Sequence, residues 1–326
     1  MRRPQGRALN DPVLQQGGKH FLATCEFESG NGFKPLFSQG SVGACLMPLR
    51  IRFVDQRKLE RASLQPAHNN TVIEASKLGL TFQTNDGPVR ALSDVDLSIG
   101  KGEFVSFIGP SGCGKTTFLR VIADLERPTS GTISINGMTP QQAREARAYG
   151  YVFQAAALFP WRSIENNVAL PLEIMGISSS ERKARIRRTL DLVNLSGFEK
   201  KYPWQLSGGM QQRASIARAL AFDADLLLMD EPFGALDEIV RDHLNEQLLK
   251  LWDQTNKTIC FVTHSIPEAV YLSTRIVVMS PRPGRVTDVI ESTLPRERPL
   301  DIRETPEFLA IAARVRDGLR AGHSYD

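Results

Sequence analysis

The chain has 326 residues, and at roughly 100–200 residues per domain it holds two domains or one elaborated domain with additions. With 41% hydrophobic and 23% charged residues it can bury a proper core, and no run approaches the roughly 18 apolar residues that span a bilayer. The net charge of +4 is uneven: residues 1–70 carry 10 basic and 5 acidic side chains, and the remainder carries 30 and 31, so the main body lacks the basic surplus of a nucleic-acid-binding domain.

Residues 1–70 mix Gly, Gln, Pro and Arg without a sustained period, which predicts a mostly disordered extension; the alternative is a regulatory or docking arm. Arg2 and Arg3 are not followed by an apolar run, so no secretory signal is expected. Cys25, Cys45, Cys113 and Cys260 form no CxxC pair and have no metal-ligand spacing with the five histidines, as in a reduced, cytosolic protein.

Regular structure is expected from Thr71. Segments 71–82, 91–99, 103–108 and 131–136 read as strands separated by turns such as Asn85-Asp86-Gly87 and Asn136-Gly137. Residues 180–195 have a helical period, opened by a capping box of Ser178 with Glu181. Leu236, Val240, Leu244, Leu248 and Leu251 form the apolar stripe of a second helix, with His243 on its exposed side. Runs 225–229, 259–263 and 275–279 read as buried parallel strands, Pro281–Gly284 as a sharp turn, and 306–320 as a closing helix. Helices alternating with buried strands predict an α/β core.

Gly109-Pro110-Ser111-Gly112-Cys113-Gly114-Lys115-Thr116 matches GxxxxGK[ST] between an apolar strand and a helix-like run from Thr117, the context this phosphate-loop motif requires. Glycines let the backbone wrap closely, so that N–H groups and the helix N-terminus face phosphates. Lys115 adds a point charge at the β- and γ-phosphates, and the Thr116 hydroxyl suits Mg²⁺. Cys113 reads as a small filler in that loop, and the basic run Arg182–Arg188 as a solvated helix face. Leu226–Met229 ends in Asp230 and Glu231, whose side chains should diverge on a pleated strand: Asp230 toward a metal shell, Glu231 toward an attacking water. Taken alone, this is also an ordinary acidic strand end.

Leu206-Ser207-Gly208-Gly209-Met210-Gln211-Gln212-Arg213 resembles the signature sequence of ATP-binding cassette (ABC) transporter ATPases. Ser207 is a good N-cap, and the glycines expose the donors of the helix beyond it. The resemblance covers residues 71–320. It implies a P-loop NTPase core of mainly parallel sheet, with an antiparallel β subdomain and an inserted helical subdomain at about 155–220. It also implies a nucleotide-binding domain over residues 71–300 and a helical tail over 301–326.

By the same resemblance, Gly109 through Thr117 (including Pro110, Ser111, Gly112, Cys113, Gly114, Lys115 and Thr116) hold ATP, with Phe82 stacked on adenine. Thr116, Gln154 and Asp230 serve Mg²⁺; Glu231 is the general base; His264 is the switch histidine on the γ-phosphate. Ser207 and Gly209, with Asp237 of the Gly234-Ala235-Leu236-Asp237 loop, complete the site of a second copy of the chain. In isolation Gln154 also reads as a polar strand end, His264 as a helix cap and Phe82 as a core aromatic.

The run Leu158-Phe159-Pro160-Trp161-Arg162-Ser163-Ile164-Glu165-Asn166-Asn167-Val168 and the tail Met279–Arg285 are similar to importers of nitrate, sulfonate and taurine. The resemblance thus implies an ATP-hydrolysing importer subunit on the cytoplasmic face of the inner (plasma) membrane. Its partners would be permease subunits, a second copy and, indirectly, a solute-binding protein, with no nucleic acid. Leu158, Phe159, Pro160 and Trp161 form the permease-facing candidate; the alternative is that Trp161 packs within its own helical subdomain. The alternatives are an ABC ATPase of DNA maintenance and a regulatory nucleotide binder without transport. Against the first, only about 90 residues separate phosphate loop and signature, without heptads or a cysteine cluster.

Overall fold

The computed structural model describes residues 70–321 apart from Ala235; the expected extension, except for Asn70, lies outside the described residues. Strands β1 (Thr71–Thr84) and β2 (Gly87–Gly100) form a long antiparallel hairpin, and β4 (Ser130–Ile135) pairs on the free edge of β1. The hairpin strands run past the expected ends at 82 and 91 because Gln83 and Thr84 still pair with Pro88 and Gly87 across the two-residue turn.

The second sheet has the order β5-β6-β7-β3-β8-β9. Its strands are β3 (Phe104–Ile108), β5 (Tyr149–Val152), β6 (Leu226–Asp230), β7 (Thr258–Val262), β8 (Arg275–Met279) and β9 (Val286–Glu291). All neighbours are parallel except β8 and β9. Alternation along these strands divides the core in two. Phe104, Ile108, Leu227, Met229, Ile259, Phe261, Ile276 and Val278 face one side. There they meet α5 (Gly208–Ala221), α6 (Glu238–Thr255), α7 (Ile266–Leu272) and α8 (Pro306–Ala321). Val105, Phe107, Leu226, Leu228, Cys260, Val262 and Val277 face the other side, against α1 (Lys115–Ile122) and the antiparallel sheet. Burial on both faces explains why the central strands read as unbroken apolar runs.

Between β5 and β6 the chain makes α3 (Ile164–Ile174), α4 (Ser179–Leu192) and α5, after the short α2 (Pro140–Glu145) ahead of β5. Fully buried Asn167 ties the start of this region together: its amide donates to the carbonyls of Phe159, Arg162 and Ser163, and its Oδ1 accepts from the Phe159 N–H. Ser178 caps α4 through the Glu181 N–H, but the Glu181 carboxylate pairs with Arg185 at 2.7 Å, so the cap is one-sided and not the reciprocal box the spacing predicts. His243 is half-buried, and its Nε2 is enclosed without a hydrogen-bond partner among the described residues, unlike the surface histidine the α6 stripe suggests.

Candidate functional site

The parallel strands deliver their carboxyl ends to one edge of the sheet, where α/β folds place ligand crevices. The 109–114 loop follows β3, Gln154 lies just past β5, Glu231 follows β6, and His264 lies just past β7. Gly114 is the N-cap of α1 with φ 102°, a left-handed conformation that suits glycine. It supplies no side-chain cap, so the first-turn amides of Lys115, Thr116 and Thr117 lack helical acceptors and remain available to an anion.

Lys115 is buried, and its Nζ donates to the carbonyl oxygens of Gly109 (2.8 Å) and Pro110 (2.9 Å), with Cys113 Sγ at 3.6 Å. The ammonium therefore shapes the loop as well as charging it. Cys113, within the loop, is fully buried, as a filler would be.

Thr116 Oγ1 donates to Asp230 Oδ1 at 2.7 Å, which brings together the two oxygens expected to serve Mg²⁺. One hydroxyl and one carboxylate, completed by phosphate oxygens and water, are the hard donors that Mg²⁺ takes. The cation therefore fits this pair. Burial is the main influence on Asp230 and raises its pKa above the ordinary aspartate value; the Thr116 bond pulls the other way, and the charge of Glu231 adds to the rise.

Glu231 does not continue the strand. Its φ of 46° is left-handed, which costs a non-glycine residue on the order of 1 kcal/mol. The surroundings hold it there: its N–H donates to the Val262 carbonyl at 3.0 Å, and its own carbonyl accepts from Gly234 at 3.2 Å. The pleat alternation expected between Asp230 and Glu231 is therefore not what separates them, because β6 ends at Asp230 and the backbone turns at Glu231. Gln154 Nε2 donates to Glu231 Oε2 at 3.1 Å, and His264 Nδ1 lies 3.7 Å from the same oxygen. The three side chains assigned to water and γ-phosphate geometry thus meet at one carboxylate.

A cleft of about 340 Å³ joins these parts, lined by Phe82, Val89, Ala91, Ser111, Gly112, Gly114, Lys115, Thr116, Thr117, Gln154, Glu231 and Arg282. Half-buried Phe82 stands at the β1 end of it, on the rim and not in the deep core. Gly109, Pro110 and Cys113 lie behind the lining, where Lys115 is anchored. Ser207, Gly209 and Asp237 do not line this cleft. Ser207 caps α5 through the Met210 N–H at 3.3 Å, and Asp237 caps α6 through the Val240 N–H at 3.0 Å. Three lining residues were missed by sequence reading: Val89 and Ala91 of β2, and the charged Arg282. The Pro281–Gly284 string identifies a turn, but its position comes from long-range pairing of Gly284 with Ala91 and Ser93 of β2, which local sequence does not encode.

A second concavity of about 400 Å³, mostly apolar, lies beside the loop after Gln154; Tyr151, Phe153, Phe159, Ile174 and Phe222 contribute to it. Phe159 contacts Trp161 with tilted rings whose centroids are 5.0 Å apart, and Trp161 is 70% exposed, so it is not packed in the helical subdomain.

The ABC transporter family profile matches residues 92–234. An uncharacterized ABC transporter ATP-binding protein of Methanocaldococcus jannaschii is 45% identical over 243 residues, which are 74% of this chain and 89% of that protein. An aliphatic sulfonates import ATP-binding protein, SsuB of Bacillus cereus, is 44% identical over 69% of this chain and 88% of its own length. The taurine import ATP-binding protein TauB of Jannaschia sp. is 48% identical over 62% and 75%, respectively. Among solved structures, a dimeric ATP-binding cassette in a post-hydrolysis state with ADP and Pi superposes with a TM-score of 0.63 at 35% identity, covering 67% of this chain and 98% of that one.

Proposed function

Because the chain belongs to the ABC transporter family of ATP-binding proteins, we propose that it is the ATP-hydrolysing subunit of an importer for sulfonate, taurine, nitrate or a similar small solute. The import proteins among its relatives support the solute class. The observation that carries the catalytic reading is the meeting of Gln154, Glu231 and His264 at one oxygen, on the same sheet edge as the Lys115 loop and the Thr116–Asp230 pair.

In this reading, the amides of α1 and Lys115 bind the phosphates, and Phe82 packs against the base. Mg²⁺ held by Thr116 and Asp230, with Gln154 nearby, would neutralise charge on the phosphate oxygens. Glu231 Oε2 takes a proton from the attacking water, while Gln154 and His264 fix the carboxylate's direction. The work is positioning and charge neutralisation, with little covalent chemistry from the protein.

Ser207 and Gly209 sit apart from this cleft on the same chain, which favours two copies facing each other, with the signature helix of one over the phosphates of the other. The apolar concavity near Gln154 would receive a short permease helix, and the subunit would lie at the cytoplasmic face of the membrane as a peripheral component. No helix among the described residues is long and apolar enough to cross a bilayer. A solute-binding protein would act through the permease.

Glu231→Gln tests the assignment. This variant should bind Mg-ATP with near-parental affinity and accumulate as a dimer. Turnover should fall by about 10²-fold or more, the usual contribution of a positioned base. Near-normal turnover would remove Glu231 from the role.

A further inference from the structure

Arg282 is the one arginine in the lining of the nucleotide cleft. Its Nη2 lies 3.4 Å from the point a Cβ would occupy on Gly112, so the guanidinium rests against the phosphate loop itself. Neighbouring Arg285 reaches the Asp94 carboxylate at 3.8 Å, whereas Arg282 has no ion-pair or hydrogen-bond partner among the described residues. Lys115, the cleft's other cation, is already held by two loop carbonyls.

The turn that carries Arg282 is firmly placed. The Gly284 N–H donates to the Ala91 carbonyl at 2.9 Å, and the Gly284 carbonyl accepts from the Ser93 N–H at 3.0 Å. A Cβ at Gly284 would overlap the Cys113 carbonyl oxygen, so only glycine lets the turn lie this close to the loop. Ser280 closes the turn from within: its Oγ donates toward the Pro281 and Pro283 carbonyls and accepts from the Arg285 N–H. Flanking prolines further restrict the backbone of Arg282. The Arg282 side chain itself is exposed, so its planar fork of donors, carried on a fixed turn, is free to meet phosphate oxygens.

We propose that Arg282 is a phosphate-binding residue of the cleft, a second cation supplied from the turn after β8. This rests on the nucleotide-binding reading above.

The test is equilibrium binding of ATP, ADP and AMP to the full chain and to its Arg282→Ala, Arg282→Gln and Lys115→Ala variants, with melting temperatures measured alongside. Arg282→Ala and Arg282→Gln should weaken ATP and ADP by about 10-fold, as expected for a lost charge-assisted bond, with AMP nearly unchanged. Equal loss for AMP would place the guanidinium on base or sugar and overturn the phosphate assignment. If Arg282→Gln melts and binds like the parent while Lys115→Ala has lost ATP, the proposal for Arg282 falls and the cleft reading stands. A parent chain that fails to bind ATP would remove both.

Discussion

Asp230 is a buried carboxylate, and the fold charges it at a cost. Its pKa is raised mainly by burial, so the folded chain holds this proton to a higher pH than the unfolded chain does. The sign comes from linkage. The group's contribution to stability is full below the unfolded pKa and is lost as pH rises through the folded value, so at neutral pH the ionised side chain works against folding. Asp230→Asn keeps an oxygen to accept from Thr116 but carries no charge. Without nucleotide or Mg²⁺ at pH 7–8 it should melt higher than the parent, by roughly 2–4 °C for each 1 kcal/mol recovered in a chain of this size. Its advantage should shrink as pH is lowered toward the aspartate range. Scanning calorimetry of both proteins across pH checks this; an unchanged or lower melting temperature at neutral pH would contradict it. The fold thus gives up stability at buried Asp230 and accepts backbone strain at the adjacent Glu231, which lines the cleft.

Among the elements, α5 connects two regions of the surface. Its first residues carry the signature, and its later side chains hold the loop after Gln154. Gln212 Nε2 donates to the Phe153 carbonyl at 3.1 Å, and Arg218 donates to the carbonyls of Ala156 and Ala157. That loop leads into Phe159 and Trp161, beside the apolar concavity. Since Trp161 is 70% exposed, Trp161→Ala should shift stability by no more than about 0.5 kcal/mol. Basal ATP hydrolysis by the isolated subunit should be spared. Binding to the permease recovered with the chain from membranes should weaken by about 2 kcal/mol, the usual cost of losing an anchoring aromatic. Unchanged permease affinity would remove Trp161 from the interface.

At the scale of the whole molecule, the sequence made the four central sheet strands legible because burial on both faces writes them as apolar runs, whereas the partly exposed edge strands β5 and β9 carry no such run. The phosphate loop, Asp230 and the caps at Ser207 and Ser178 were legible for a similar reason, since each is specified within a few residues. What escaped depends on distant pairing or on backbone conformation. The left-handed turn at Glu231 has no glycine to mark it. Arg282 reaches the cleft through bonds between residues nearly two hundred positions apart in sequence. The half-burial of His243 reflects tertiary packing around α6, which a helical stripe alone does not reveal.

Ser207 caps its helix away from the cleft that holds Lys115 on the same chain. If each working site draws its two halves from different copies, defects in the two halves belong to separate complementation groups. A Lys115→Ala chain retains a sound signature, and a Ser207→Arg chain retains a sound cleft; each should be inert when assayed by itself. Mixed in equal amounts and allowed to exchange, half the pairs become heterodimers with one intact site each, so about a quarter of parental activity should return. A site built within one chain predicts no rescue at any ratio. By the same arithmetic, either defective copy mixed equally with the parental chain leaves one intact site in each heterodimer, so activity should fall to about half, in proportion to the defective chains.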